Sequence, residues 1–319
     1  MKYVFLSVLH QLRLSTKLNK GIELYPGGRI SNGLESISNV INSELLKYTA
    51  GVHSLDEFKD AVLFVKSGEF SEINSKNEMD ERGNMIAFYF LREIEKFTHH
   101  LWEIKDNNVY VRDGFLVVYT NSIEDGFTYK ASLSSINTLS SGEKLQSVFS
   151  REEVLLAVKR FTPFLLDEMD SGDFGGKYPR SDHFFKNNKF SRMDRAKYFT
   201  LAARASATLP MKIVSYCTAL ECLFTTGNSE LSHRISERVA ILLGDQGKKE
   251  ELFKSVKRAY DYRSKIVHGS NIKGSESDLI EITVELDRIF RKLFINNYDI
   301  FNQSDQEIDN YFTKLLFQE

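Results

Sequence analysis

Arg263 and His268 lie five residues apart in a segment, Leu252 to His268, whose apolar residues recur at helical spacing. With Leu252 set at about 0° and each residue advancing 100°, Val256 falls near 40°, Ala259 near 340°, Ile266 near 320° and Val267 near 60°. Arg263 falls at about 20°, in the middle of that apolar stripe. A guanidinium cannot be neutralised, so at a core-facing position it must be paired, or must face a partner surface or a site. Ser264 and His268 share the adjoining face, at about 120° and 160°. Two readings follow. Arg263 is an ion-pair partner, for instance of Glu221 on the flank of the apolar stripe of a helix over 211–226. Alternatively it faces a partner surface or a site. The spacing leaves both open.

Other chemistry is thinly marked. The chain has no Gly-x4-Gly-Lys loop, no Gly-x-Gly-x-x-Gly, no His-Glu-x-x-His, no Gly-x-Ser-x-Gly and no Cys-x-x-Cys. His99 and His100 beside Trp102 lack a third ligand nearby in sequence and read as an ordinary helix-end pair, so no metal and no cofactor is expected. Cys217 and Cys222 sit on different faces of one helix and read as small buried hydrophobes in a reducing compartment. The formal charge of −2 means that nucleic-acid binding has to come from a local patch. The best such patch is Ser171 to Lys197, with seven basic residues against three acidic ones and Phe174, Tyr178, Phe184, Phe185 and Phe190 interleaved. Lys186, Lys189 and Arg192 are its candidate phosphate contacts, with Lys265 added from the helix of Arg263. A solvated loop whose aromatics pack on the domain is the plainer reading.

The elements that must position these groups divide the chain in two. At 319 residues, 42% of them hydrophobic and 27% charged, it has the size and composition of one large or two ordinary globular domains. Residues 1–145 read as an α+β unit. One or two strands cover 3–30, ending at the Pro26-Gly27-Gly28 turn. A helix follows over Leu34 to Tyr48, and a short one opens at a Ser54–Glu57 capping box and runs to about Lys66. A polar loop spans Ser67 to Gly83, and a helix runs from Met85 to about His100. Asp113-Gly114 then turns a hairpin between 109–112 and 115–120, with a further strand over 127–133.

The serine- and glycine-rich stretch 134–147 marks the boundary. Residues 146–319 read as an all-α antiparallel bundle. A Ser150–Glu153 capping box opens a helix to about Met169, bent near Pro163. Helices follow over 191–207, 211–226, 230–243, 248–268 and 276–297, and a last one starts at Ser304–Glu307. Gly244 and Gly269 stand where C-terminal caps belong. The N-terminal apolar run is at the short limit for a signal peptide, and no run reaches the ~18 apolar residues of a membrane helix. No membrane association and a cytoplasmic location are expected.

Three stretches carry a family resemblance. Tyr260-Asp261-Tyr262-Arg263-Ser264-Lys265-Ile266-Val267-His268-Gly269 resembles the signature of the HEPN superfamily, in particular its Apea-like family. Ala219-Leu220-Glu221-Cys222-Leu223-Phe224 and Arg238-Val239-Ala240-Ile241-Leu242-Leu243-Gly244 resemble two preceding helices of that family. Met193 to Ala207 fits the helix before them. The likeness covers about residues 150–300 and says little of the first 145.

The resemblance implies a helical bundle that forms a homodimer through the helix bearing Arg263. It also implies a metal-independent endoribonuclease site in which Arg263 and His268 are the catalytic pair, supported by Ser264, Tyr260 and Glu221. Ser264 agrees with the Apea-like members and departs from the Asn, Asp or His common in the wider superfamily. RNA is the implied substrate, with a toxin or defence effector as the setting and a regulatory protein or ligand for residues 1–145. The superfamily also holds silent members that bind RNA, nucleotides or proteins. The implied chemistry is physically sound: cleavage by the 2′-hydroxyl needs one proton removed, another delivered and positive charge against the phosphorane.

Overall fold

The computed structural model describes residues 1–33, 35–71, 73, 75–162, 190–227, 229–245 and 247–317, with the side chains of 36 and 52–54 excepted. The chain is an α+β protein of two compact units, Met1–Asn137 with Lys144–Leu165, and Thr138–Glu143 with Leu166–Glu319.

The first unit is built on an antiparallel sheet with the strand order β3-β4-β5-β1-β6-β7. Its members are β1 (Lys2–Val8), β3 (Ile22–Tyr25), β4 (Gly28–Ser31), β5 (Leu63–Glu69), β6 (Asp113–Tyr119) and β7 (Phe127–Ser132). β2 (Leu12–Leu14) and β8 (Ser147–Phe149) form a separate parallel pair. The apolar N-terminal run is thus the inner strand β1, paired with β5 on one side and β6 on the other. Alternation along it sends Val4, Leu6 and Val8 to one face, against Leu46 and Phe58. Tyr3 and Phe5 go to the other, against Phe90. Both faces are covered, which explains why β1 reads as a continuous apolar run.

Helices α1 (Ser38–Ile41), α2 (Glu44–Phe58), α3 (Lys76–Ile104) and α4 (Arg151–Arg160) complete this unit. Several expectations are corrected here. The helix expected from Leu34 to Tyr48 is broken at Asn42-Ser43, where Ser43 caps α2 by accepting from the Leu46 N–H. Leu34, the Ser54 side chain and the bend at Pro163 lie outside the described residues. Leu63 to Lys66, expected in a helix, begin strand β5, because a short apolar run fits a doubly buried strand as well as a helix. The loop expected from Ser67 to Gly83 is shorter than that: its first residues end β5, and Lys76 to Gly83 form the first two turns of α3.

Asp113-Gly114 is no hairpin turn. These two residues open β6, which pairs Gly114 with Ser7 on one side and Ala131 on the other. The glycine is required for a different reason. A Cβ on Gly114 would stand 2.5 Å from the Phe5 ring, so only hydrogen fits. Asp113 binds the Ser132 hydroxyl, Arg112 and Lys130. Burial alone would raise its carboxyl, and these donors hold it below the ordinary range.

Beside Asp113, His10 stacks on Tyr110 with ring centroids 4.8 Å apart. Its Nε2 lies 3.9 Å from Glu57, which in turn receives Arg112. Burial lowers the His10 pKa, with Arg112 adding to the effect and Glu57 and Asp113 opposing it. Because the folded value lies below that of an unfolded histidine, the unfolded chain binds more protons in the window between them. Stability held above about pH 6.5 is then lost as pH falls through that window. Thermal melts at pH 7 and pH 5 should show a smaller acid-induced fall in His10→Gln than in the native chain. Equal falls would assign the acid sensitivity to other groups.

The second unit is helical throughout its described residues apart from connecting segments. It comprises α5 (Arg192–Ala205), α6 (Leu209–Phe224), α7 (Leu231–Leu243), α8 (Lys249–Val267), α9 (Glu276–Asn296) and α10 (Asp305–Leu316). α6 is the central helix, packed by α5, α8 and α9. It buries Ile213, Tyr216, Cys217, Leu220, Leu223 and Phe224, so it is apolar nearly all round, as a surrounded helix must be. The capping boxes at Ser150–Glu153 and Ser304–Glu307 are formed, and Ser191–Asp194 and Ser275–Asp278 add two more. Among the described residues no helix is long and apolar enough to cross a membrane.

Candidate functional site

The site grows from the way α8 lies on α6. Leu252, Val256 and Ala259 are buried, and Tyr260 is buried with them. The Tyr260 hydroxyl donates to the Cys217 carbonyl across the interface at 3.2 Å. Burial pushes the phenol well above its ordinary range, with the neighbouring Cys217 and Glu221 adding to it. Tyr260 therefore positions α8 on α6 and is closed to substrate. Burial likewise raises the Cys217 thiol, and pushes Cys222 up to about 11, so neither cysteine carries a reactive thiolate at neutral pH.

One turn beyond Tyr260 the stripe leaves the core. Arg263 is half-buried, its side chain 33% exposed, whereas Val267 at the flank of the stripe is 53% exposed. One guanidinium nitrogen of Arg263 lies 3.5 Å from a Glu221 carboxylate oxygen. Its Nε is buried and has no hydrogen-bond partner. Burial raises the Glu221 pKa and Arg263 pulls it back down. The pairing expected from the two helical faces is formed, yet it occupies only part of the fork.

Sequence reasoning put His268 in the last turn, and the structure makes it the C-terminal cap of α8. The backbone reverses at Gly269, with φ of +67°. The Gly269 N–H donates to the Ile266 carbonyl and the Ser270 N–H to the Lys265 carbonyl, the paired bonds of a Schellman end. Gly269 is therefore the left-handed residue foreseen at this end. Gly244 closes α7 with a negative φ of −82° instead. The His268 imidazole is exposed, and so are Ser264 and Lys265. The Lys265 ammonium stands 5.6 Å from the Tyr262 ring centre.

The proposed basic patch is divided. Lys186 and Lys189 lie outside the described residues. Arg192 opens α5 and is committed elsewhere: it donates to the Cys222 carbonyl at 3.1 Å and the Thr225 carbonyl at 2.8 Å, and pairs with Asp305. It closes the C-terminus of α6, where the last carbonyls lack helical partners. Arg238, which sequence reasoning missed, performs the same service. It is buried, donates to the Phe224 carbonyl at 2.6 Å and to Thr226, and pairs with Asp309. Its position between Ile235 and Val239 on the buried side of α7 was the signal. His99 and His100 both face Glu103, at 3.7 and 3.2 Å. Among the described residues no three His, Cys, Asp or Glu side chains gather as a metal would need.

Comparison with protein-family models, with curated proteins and with solved structures finds no match.

Proposed function

We propose that this chain is a metal-independent endoribonuclease of the HEPN type, with Arg263 and His268 as its catalytic pair at a homodimer interface and a toxin or defence effector as its setting. The observation that supports it best is the half-filled guanidinium of Arg263: one nitrogen on Glu221, Nε without a partner, a third of the side chain open to solvent. The solvent-facing part of the fork keeps N–H donors that Glu221 does not fill, and these can meet a phosphate oxygen. His268 is free to act five residues on.

In this reading the RNA 2′-oxygen attacks the adjacent phosphorus as an imidazole takes its proton. The P–O5′ bond breaks, a second imidazolium gives the 5′-oxygen its proton, and a 2′,3′-cyclic phosphate and a 5′-hydroxyl result. Arg263 holds the non-bridging oxygens as charge builds on them. On one helix the two side chains diverge by about 140°, so a two-fold axis that sets two copies face to face gathers both kinds of group around one cleft. Purified protein should cut single-stranded or tRNA-like RNA in EDTA and leave cyclic-phosphate ends. Cutting only with added Mg²⁺ or Mn²⁺ would sink this mechanism.

A second reading, a silent HEPN module that binds RNA, a nucleotide or a protein, is favoured by the Glu221 contact, since a standing ion pair is what a structural arginine makes. The basic stretch separates RNA binding from architecture. Replacing Lys186 and Lys189 with alanine should flatten the salt dependence of RNA affinity, because fewer counterions are released. Arg192→Ala should leave that slope alone and lower stability by about 1–3 kcal/mol, through the stranded carbonyls of α6. A flattened slope in Arg192→Ala with stability intact would reverse the assignment.

A further inference from the structure

The first unit carries a surface cavity of about 450 Å³ lined by Asn39, Asn42, Tyr119, Asn121, Ile123 and Glu124, together with Ser43. The volume is within the range of about 300–1,000 Å³ usual for small-molecule sites. Its walls come from α1 and its C-terminal cap on one side, and from the end of β6 and the β6–β7 connection on the other. Tyr119 and Ile123 pack on the cluster of Val4, Leu6, Leu46 and Phe58, which fixes the aromatic wall.

The polar groups here are unspent. Ser43 is occupied, accepting from the Leu46 N–H at 3.2 Å and donating to the Val40 carbonyl at 2.7 Å. The amides of Asn39, Asn42 and Asn121 and the Tyr119 hydroxyl make no side-chain hydrogen bond to any described residue. Three carboxamides in one hollow offer six N–H donors and three carbonyl acceptors. No lysine, arginine or histidine lines the cavity. Glu124, its one ionisable acid, accepts from Ser122, and that bond holds its carboxyl below the ordinary range. The cavity therefore meets a phosphate or carboxylate ligand with repulsion and no counter-charge.

We propose that this cavity binds an uncharged, polyhydroxylated ligand, a neutral mono- or disaccharide. A sugar hydroxyl both donates and accepts, and two neighbouring hydroxyls match the paired N–H and C=O of a carboxamide. The Glu124 carboxylate accepts from a further hydroxyl. The Tyr119 ring and Ile123 supply the apolar surface against which the C–H face of a pyranose packs. The inference is independent of RNA cleavage, because every residue it uses belongs to the first unit.

Saturation-transfer NMR on the full chain tests it. The probes are glucose, galactose, mannose, fucose, N-acetylglucosamine, maltose and lactose, with glucose 6-phosphate and adenosine as counter-probes. At least one neutral sugar should receive saturation at millimolar concentration. The double variant Asn42→Leu/Asn121→Leu should weaken that sugar by about tenfold, as the loss of one or two hydrogen bonds implies. Both positions are solvent-exposed, and circular dichroism of the variant should match the native chain. Three results overturn the proposal: a panel in which no neutral sugar binds, binding unchanged in the double variant, or glucose 6-phosphate or adenosine binding at these residues in preference to every neutral sugar.

Discussion

If the proposed function holds, His268→Ala should lower RNA cleavage in EDTA by about 10²–10⁴-fold, the usual worth of a positioned acid or base, while the fold and the oligomeric state stay unchanged. His268 is an exposed cap whose side chain makes no hydrogen bond or ion pair with any described residue, and the Schellman bonds of the α8 end are made by backbone alone. The variant should therefore melt with the native chain. Arg263→Ala should abolish cleavage as well, and here the structure narrows the stability cost. A fully buried pair broken on one side costs about 3–5 kcal/mol. Arg263 and Glu221 are 33% and 24% exposed, so a double-mutant cycle should find them coupled by about 1 kcal/mol or less. Mixing the two inactive variants adds a test of assembly. Recovered activity means that each site draws on both chains; none means that one chain supplies both groups, or that both sites must be whole. A large stability loss in Arg263→Ala, with cleavage retained by the folded fraction, would remove this residue from the mechanism.

Glu93→Leu should destabilise the first unit by about 3–5 kcal/mol, the cost of stranding a buried charge. Glu93 projects from α3 with its side chain only 3% exposed, and Lys66 reaches it from β5 at 2.9 Å with 11% exposure. Tyr25 donates its hydroxyl to the same carboxylate oxygen. The Lys66 ammonium also stands 4.1 Å from the centre of the Phe90 ring. Burial pulls Lys66 below the ordinary lysine range, and the Glu93 carboxylate pushes it back up. Removing Glu93 leaves both a cation and a phenol without their acceptor. In a unit of this size the transition should drop on the order of 10 °C. Lys66→Met combined with Glu93→Leu should cost less than the sum of the single changes, since the apolar pair needs no desolvation. A loss below about 1 kcal/mol in Glu93→Leu would show that Lys66 is hydrated and that the sheet face does not depend on the pair.

What the sequence by itself determined is local. The capping boxes at Ser150–Glu153 and Ser304–Glu307 were legible because their bonds close within four residues. The spans of α5 to α9 followed from a period of 3.6 sustained over three or more turns, and Gly269 was legible as a helix end because the backbone there needs positive φ. The Arg263–Glu221 pairing was within reach because two helical faces, each locally defined, left one cation and one carboxylate on their inner flanks.

What only the tertiary structure decided depends on partners far off in the chain. β5 read as a helix because a four-residue apolar run has no period of its own; pairing with β1 some sixty residues earlier makes it a strand. Asp113-Gly114 read as a turn because those residues favour turns, yet Gly114 is there to admit the Phe5 ring. Arg192 read as a phosphate contact because its side-chain type suits one, and the bare carbonyls of α6 with Asp305 claimed it instead. The same holds for Arg263. Residue type and spacing marked it as a cation that must be answered, and only packing set how far it is answered: one nitrogen paired, one buried without a partner, a third of the side chain in water. Exposure is a property of everything that surrounds a group, and no window of sequence contains that.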